Sequence, residues 1–149
     1  TILLLGFVPV LAYPAQPLFP RYRSRGREGQ RELAFVFTGV GYTIAFLWAL
    51  LAGASPEIRT ICAGYFFSAL FLTLCNRVLH RRASGHACSA AGPLLFLIYY
   101  FGWWMLLPSI VIGWLVAWAS VALKRHTPTD LLWGALCSAA GFAIAVLWF

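Results

Sequence analysis

The chain has 149 residues, 62% of them hydrophobic and 10% charged, with a formal net charge of +7 and a mean hydropathy of +0.82. An average soluble domain is roughly a quarter charged, so this composition excludes a water-soluble core. The length allows about six spans of ~20 residues, and the apolar runs are continuous rather than alternating, which excludes a β-barrel and predicts an all-α, polytopic transmembrane helical bundle.

The first apolar run, 1–13, is too short to cross a hydrocarbon layer of ~30 Å. It starts at Thr1, without a methionine and without the basic leader of a signal peptide, so a truncated first helix with a missing upstream piece is expected. Residues 14–31, rich in Pro and Arg and carrying Arg21, Arg23, Arg25, Arg27 and Arg31, predict a polar loop. A second helix is predicted over 33–52, ended by Gly53, Ser55 and Pro56, and a third over 60–79. After the basic turn His80-Arg81-Arg82, Ser84 opens a fourth helix, 84–101, with Pro93 as a kink. Gly102, Trp103 and Trp104 turn the chain into a fifth helix, 105–123, and the sixth follows over 128–149. No internal repeat breaks the chain, so 1–149 reads as a single transmembrane domain.

Alternating helix direction puts the connections after the first, third and fifth helices on one membrane side. That side gathers Arg21, Arg23, Arg25, Arg27, Arg31, Arg77, Arg81, Arg82, Lys124 and Arg125, all three histidines and Asp130, while Arg59 and Glu57 are the charges of the other side. Ionisable residues at or within a membrane are functional candidates by default. The basic balance suits anionic headgroups or a phosphorylated substrate. Nucleic-acid binding is set aside, because the seven tryptophans lie in or beside apolar spans and read as packing or interfacial anchors. Cys62, Cys75, Cys88 and Cys137 form no metal-spaced pair and read as small core residues. No metal or other cofactor is expected.

Two clusters carry chemistry. The first is Arg77 with His80-Arg81-Arg82-Ala83-Ser84-Gly85-His86. Ser84 is a good N-cap, Gly85 lets a ligand approach the backbone, and the amides of a helix start favour a phosphate. Arg77 and Arg81 are four apart and would share a face if the third helix extends that far. An ordinary basic loop with a capping serine explains the same residues. The second cluster is Lys124-Arg125-His126-Thr127-Pro128-Thr129-Asp130. A carboxylate four residues from an imidazole can take its proton in a hydrogen bond and leave the other nitrogen free for attack. Thr127, Pro128 and Asp130 also form a capping-box-like helix start, which explains Asp130 but not the neighbouring histidine.

Ser84-Gly85-His86 followed by His126 and Asp130 resembles the type 2 phosphatidic acid phosphatase superfamily, the membrane lipid phosphatases related to bacterial acid phosphatases and vanadium haloperoxidases. The resemblance covers 59–149, and the crowding of basic residues just before Ser84 looks like a compact prokaryotic branch. It implies that His126 is a nucleophile forming a phosphohistidine, Asp130 orients it, and His86 protonates the leaving lipid oxygen. Ser84 and Gly85 would bind phosphate, with Arg81 or Arg82 as the basic residue before them. The family's third motif places Ser-Arg where this chain has Ala119-Ser120, so its phosphate-clamping arginine is a serine here. Lys124, one helical turn beyond Ser120, would reach back toward the phosphate, with Arg125 less well aimed. The first motif's lysine is also missing, leaving Asn76 or Arg77 in its place.

The expected function is metal-independent hydrolysis of a lipid phosphate monoester or diphosphate, such as phosphatidate, phosphatidylglycerol phosphate or a polyprenyl diphosphate. The alternative is a non-catalytic lipid-phosphate-binding or scaffold member of the same fold. A transporter would show inverted repeats or interrupted helices in matching positions, and neither is present. The partners are membrane lipids and the lipid phosphate, with homo-oligomerisation open. The location is a multi-pass position in a prokaryotic cell membrane. Its orientation stays open, because the excess of arginine predicts a cytoplasmic site and the resemblance an outer one. The 21–31 arginines serve either as a topology signal or as added charge for the site.

Overall fold

The computed structural model describes residues 3–149, so Thr1 and Ile2, the start of the first apolar run, lie outside the described residues. The described chain is helical throughout, with no strand among the described residues. Among the described residues, four helices are long and apolar enough to cross a membrane. The chain divides into two compact units, Thr1–Cys62 and Ala63–Phe149.

In the first unit a π-helical turn, Leu3–Phe7, leads into α1 (Val8–Ala15), a 3-10 turn (Gln16–Leu18), α2 (Pro20–Arg23) and α3 (Gly26–Leu51). The stretch 14–31, expected as a loop, is therefore largely helical, and α3 begins well before the predicted start at 33. Of the three prolines that suggested a loop, Pro14 lies inside α1 near its end, and the other two stand where a helix tolerates them. Pro17 and Pro20 occupy first-turn positions whose amides have no helical partner to lose. The buried centre of this unit is Ala45, Ala49 and Cys62, with Leu4, Leu5, Phe46, Ala54 and Ile58 packed around it. Gly53, with φ +62°, reverses the chain after α3, and Pro56 opens α4 (Pro56–Arg77), which continues into the second unit.

The second unit holds the rest of α4 with α5 (Gly85–Phe101), a 3-10 turn (Trp103–Met105), α6 (Leu106–Ala122) and α7 (Pro128–Trp148). These bounds follow the predicted helices closely, because each break is written in residues that end or start helices, such as Gly102 and Pro128. Helix α5 stays helical through Pro93. Small residues let the backbones meet. A Cβ at Gly134 would overlap the Ser84 carbonyl oxygen and lie 3.2 Å from the Cys88 amide nitrogen, so α7 crosses the start of α5 at a distance only glycine permits. Further along, a Cβ on Gly92 would lie 3.2 Å from the Ser138 hydroxyl. Contacts thus advance together along α5 and α7, which run parallel.

Helix α6 inverts the pattern of a soluble helix. Its buried residues are Ser109 and Ser120, while Leu107, Ile110, Trp114 and Trp118 point outward. Outward bulky side chains are stable only against an apolar solvent. Cys62, Cys75, Cys88 and Cys137 are all buried and unbridged, as expected of core residues, and the Cys137 thiol donates to the Cys75 sulfur at 3.5 Å.

Candidate functional site

Every charged side chain and every histidine of the second unit belongs to its two interhelical junctions at one end, α4 to α5 and α6 to α7. The first junction is shaped by a left-handed residue. His80 has φ +49°, which turns the chain out of the helix, and the Arg81 amide then closes on the Cys75 carbonyl at 2.9 Å. Helix α4 ends at Arg77, so Arg77 and Arg81 do not share a helical face, and the paired-arginine expectation is corrected. Arg77, Arg81 and Arg82 are exposed.

Asn76 holds this loop, a role its sequence position did not reveal. Its side-chain oxygen accepts from the Ala83 amide at 3.2 Å, its side-chain nitrogen donates to the Ala83 carbonyl at 3.2 Å, and the same nitrogen reaches the Leu72 carbonyl at 2.9 Å. The residue expected to replace a motif lysine therefore acts as a backbone clamp. Only the fold shows this, since an asparagine near a helix end has many local partners.

Ser84 follows the clamp as the N-cap of α5. It is fully buried, its extended backbone ends the loop, and its hydroxyl accepts from the Ala87 amide at 3.3 Å. The Cys88 amide takes the Ser84 carbonyl at 3.0 Å. Among the described residues, the Gly85 and His86 amides have no backbone partner, which is the state of a helix start able to receive an anion. Ser84 thus builds the anion-receptive end rather than presenting a free hydroxyl.

The second junction has the same logic. Lys124 has φ +52°, and the Lys124 and Arg125 amides bond the Val121 and Ser120 carbonyls at 2.9 and 3.1 Å, a Schellman closure with lysine in the place glycine usually takes. Lys124 therefore lies past the end of α6, and the expectation that it shares a helical face with Ser120 is corrected. The Ser120 hydroxyl is turned back onto the Val116 carbonyl at 2.7 Å. Lys124 and Arg125 are exposed. Helix α7 then opens with a complete capping box, in which the Thr127 hydroxyl accepts from the Asp130 amide at 3.2 Å and Asp130 Oδ2 accepts from the Thr127 amide at 3.0 Å.

The two junctions meet. The Ser84 amide donates to the Asp130 carbonyl at 2.8 Å, and the rings of His86 and His126 lie edge to face with centroids 5.8 Å apart. His126 Nδ1 is 3.9 Å from Asp130 Oδ2, beyond hydrogen-bond length. The His126 and Asp130 side chains are 11% and 10% exposed, whereas His86 is exposed. The capping reading of Asp130 therefore holds, and the carboxylate oxygen that caps the helix is also the one nearest the imidazole, without a hydrogen bond between them. Geometry of this kind offers two imidazoles, a carboxylate, a helix start and surrounding cations at one apolar boundary. It suits transfer of a group from oxygen to a nitrogen nucleophile, with a second imidazole for the proton.

Comparison with known proteins found no matching family model, no matching curated protein and no matching solved structure.

Proposed function

We propose that the chain is a multi-pass protein of a prokaryotic cell membrane that hydrolyses a phosphate monoester or diphosphate of a lipid without a metal. The observation that carries this reading is the meeting of His86 and His126 beside the capped start of α5. It agrees with the resemblance to the type 2 phosphatidic acid phosphatases, whose sequence order is Ser-Gly-His, then His and Asp.

In this mechanism His126 attacks the phosphorus in line with the lipid oxygen. A P–N bond forms, the P–O bond to the lipid breaks, and protonated His86 gives its proton to the departing oxygen. Water then attacks the phosphohistidine and passes a proton to His86, and the P–N bond breaks to release inorganic phosphate. Asp130, 3.9 Å from His126 Nδ1, stabilises the ring as positive charge grows on it. Negative charge on the phosphoryl oxygens meets the Gly85 and His86 amides, the positive end of α5, and the exposed Arg81, Arg82, Lys124 and Arg125. The lipid tail stays in the bilayer beside the apolar residues that border the cluster, Val78, Leu79 and Leu123, all exposed.

Purified protein in detergent, given dioleoyl phosphatidate or farnesyl diphosphate, should release phosphate, and His126→Ala should not. Equal release by the two proteins ends the enzyme reading. A second reading is favoured by Ser120, whose hydroxyl is committed to Val116 where a phosphate-clamping arginine would stand. The chain then binds lipid phosphates without turnover, and substrate affinity survives His126→Ala while wild type releases nothing.

A further inference from the structure

The arginine corner of the first unit takes no part in this reaction, yet it is a built structure. The Gln16 side-chain amide donates to the Tyr22 carbonyl at 3.1 Å and to the Gly26 carbonyl at 2.7 Å, tying the 3-10 turn to α2 and to the start of α3. A Cβ at Gly29 would overlap the Tyr22 carbonyl, so α2 rests directly on the α3 backbone. Phe19 stands edge-on to Tyr22 and to Phe37, both at centroid distances of 6.4 Å. On this frame Arg21, Arg23, Arg25, Arg27 and Arg31 are all exposed. Arg25 pairs with Glu32, and Glu28 is the other acid present. Arg27 and Arg31, one turn apart, share a face of α3.

Depth argues for what meets these arginines. From Leu33 to the end of α3 at Leu51 the helix is free of charge, and at 1.5 Å per residue that stretch spans about 28 Å, close to the ~30 Å hydrocarbon layer. The seven residues from Gly26 to Glu32 then raise the arginines by about 10 Å, to headgroup level. Beside them Leu18, 79% exposed, is an apolar tip that no described side chain covers well.

We infer that the corner over 16–31 is a binding surface for anionic phospholipid headgroups, with its guanidinium groups on the phosphates and Leu18 in the acyl boundary. This rests on the membrane placement proposed above but not on the phosphatase chemistry. Fixed arginines gain more from phosphate than a flexible tail would, because the hydrogen bonds of Gln16 have already ordered the backbone.

The test is thermal unfolding of the protein in dioleoyl phosphatidylcholine nanodiscs that carry increasing dioleoyl phosphatidylglycerol. Wild type should gain stability with the anionic lipid, and the gain should fade as salt is raised. Arg21→Gln/Arg23→Gln/Arg27→Gln should move the half-effect lipid fraction up by about ten-fold or more, and Arg27→Gln alone by a few-fold. A triple variant that responds like wild type overturns the inference. So does a response lost only in Arg81→Gln/Lys124→Gln, which would put the lipid at the histidine end. A corner response in a protein that releases no phosphate keeps this inference and sinks the phosphatase reading alone.

Discussion

The two ends of the second unit are made of opposite material. At one end, Arg77, His80, Arg81, Arg82, His86, Lys124, Arg125, His126 and Asp130 crowd two short junctions. At the other, the turn between α5 and α6 is Trp103 stacked on Trp104 at 3.9 Å, both 69% exposed, next to Tyr99, Tyr100 and Phe101, with no charged residue. An aromatic turn is what a membrane boundary asks of a connection whose only task is to reverse the chain. The polar end exceeds that requirement, because a topology signal needs cations but neither paired imidazoles nor a buried carboxylate. The contrast teaches that the polar end is specialised, and changes at the two ends should therefore have unequal consequences.

The largest difference is expected from His86→Asn, which should lower turnover of a lipid phosphate by about 10²–10⁴-fold. It should recover much of that loss on p-nitrophenyl phosphate, whose leaving group needs no proton. Wild type should show a bell-shaped pH profile, rising as one imidazole loses its proton and falling as the other does, and the variant should lose the alkaline limb. A profile unchanged by the substitution would break the proposed division of labour. Next comes Gly134→Ala. Its new methyl group meets the Ser84 carbonyl oxygen and the Ala87 methyl group, so stability should fall by about 1–3 kcal/mol in detergent unfolding, with activity falling further as the two histidines separate. Asp130→Ala should cost about 1 kcal/mol through loss of the capping box. Asp130→Asn retains an oxygen for the Thr127 amide, so it should keep stability and lose activity. Trp103→Ala/Trp104→Ala, at the opposite end, should leave kcat/KM unchanged and lower stability by less than about 1 kcal/mol.

Much of this contrast is legible before any coordinates. Charges sorted by junction, breakers at Gly102 and Pro128, and the serine and threonine caps before α5 and α7 are local signals, and the structure follows them. The failures come where long-range geometry decides. Gly134 sits inside an apolar run with nothing nearby to mark it, and only its contact with Ser84 explains it. Asn76 reads as a stand-in motif residue until Ala83 folds back onto it. Spacing arguments for Arg77 with Arg81 and for Ser120 with Lys124 assume helices that continue, whereas left-handed His80 and Lys124 end them. Left-handed turns usually announce themselves with glycine, and neither of these does. The Arg-rich stretch misleads in the other direction, because Pro17 and Pro20 mark helix starts and the Gln16 amide supplies bonds that no local pattern encodes.

The hydrogen bond from the Ser84 amide to the Asp130 carbonyl joins residues far apart in the chain. Opening either loop exposes that amide, so its deuterium uptake reports the looser of the two junctions and cannot be faster at one than at the other. A ligand that bridges both imidazoles would slow this single proton more than its neighbours, making one backbone position a gauge of occupancy even where no product forms.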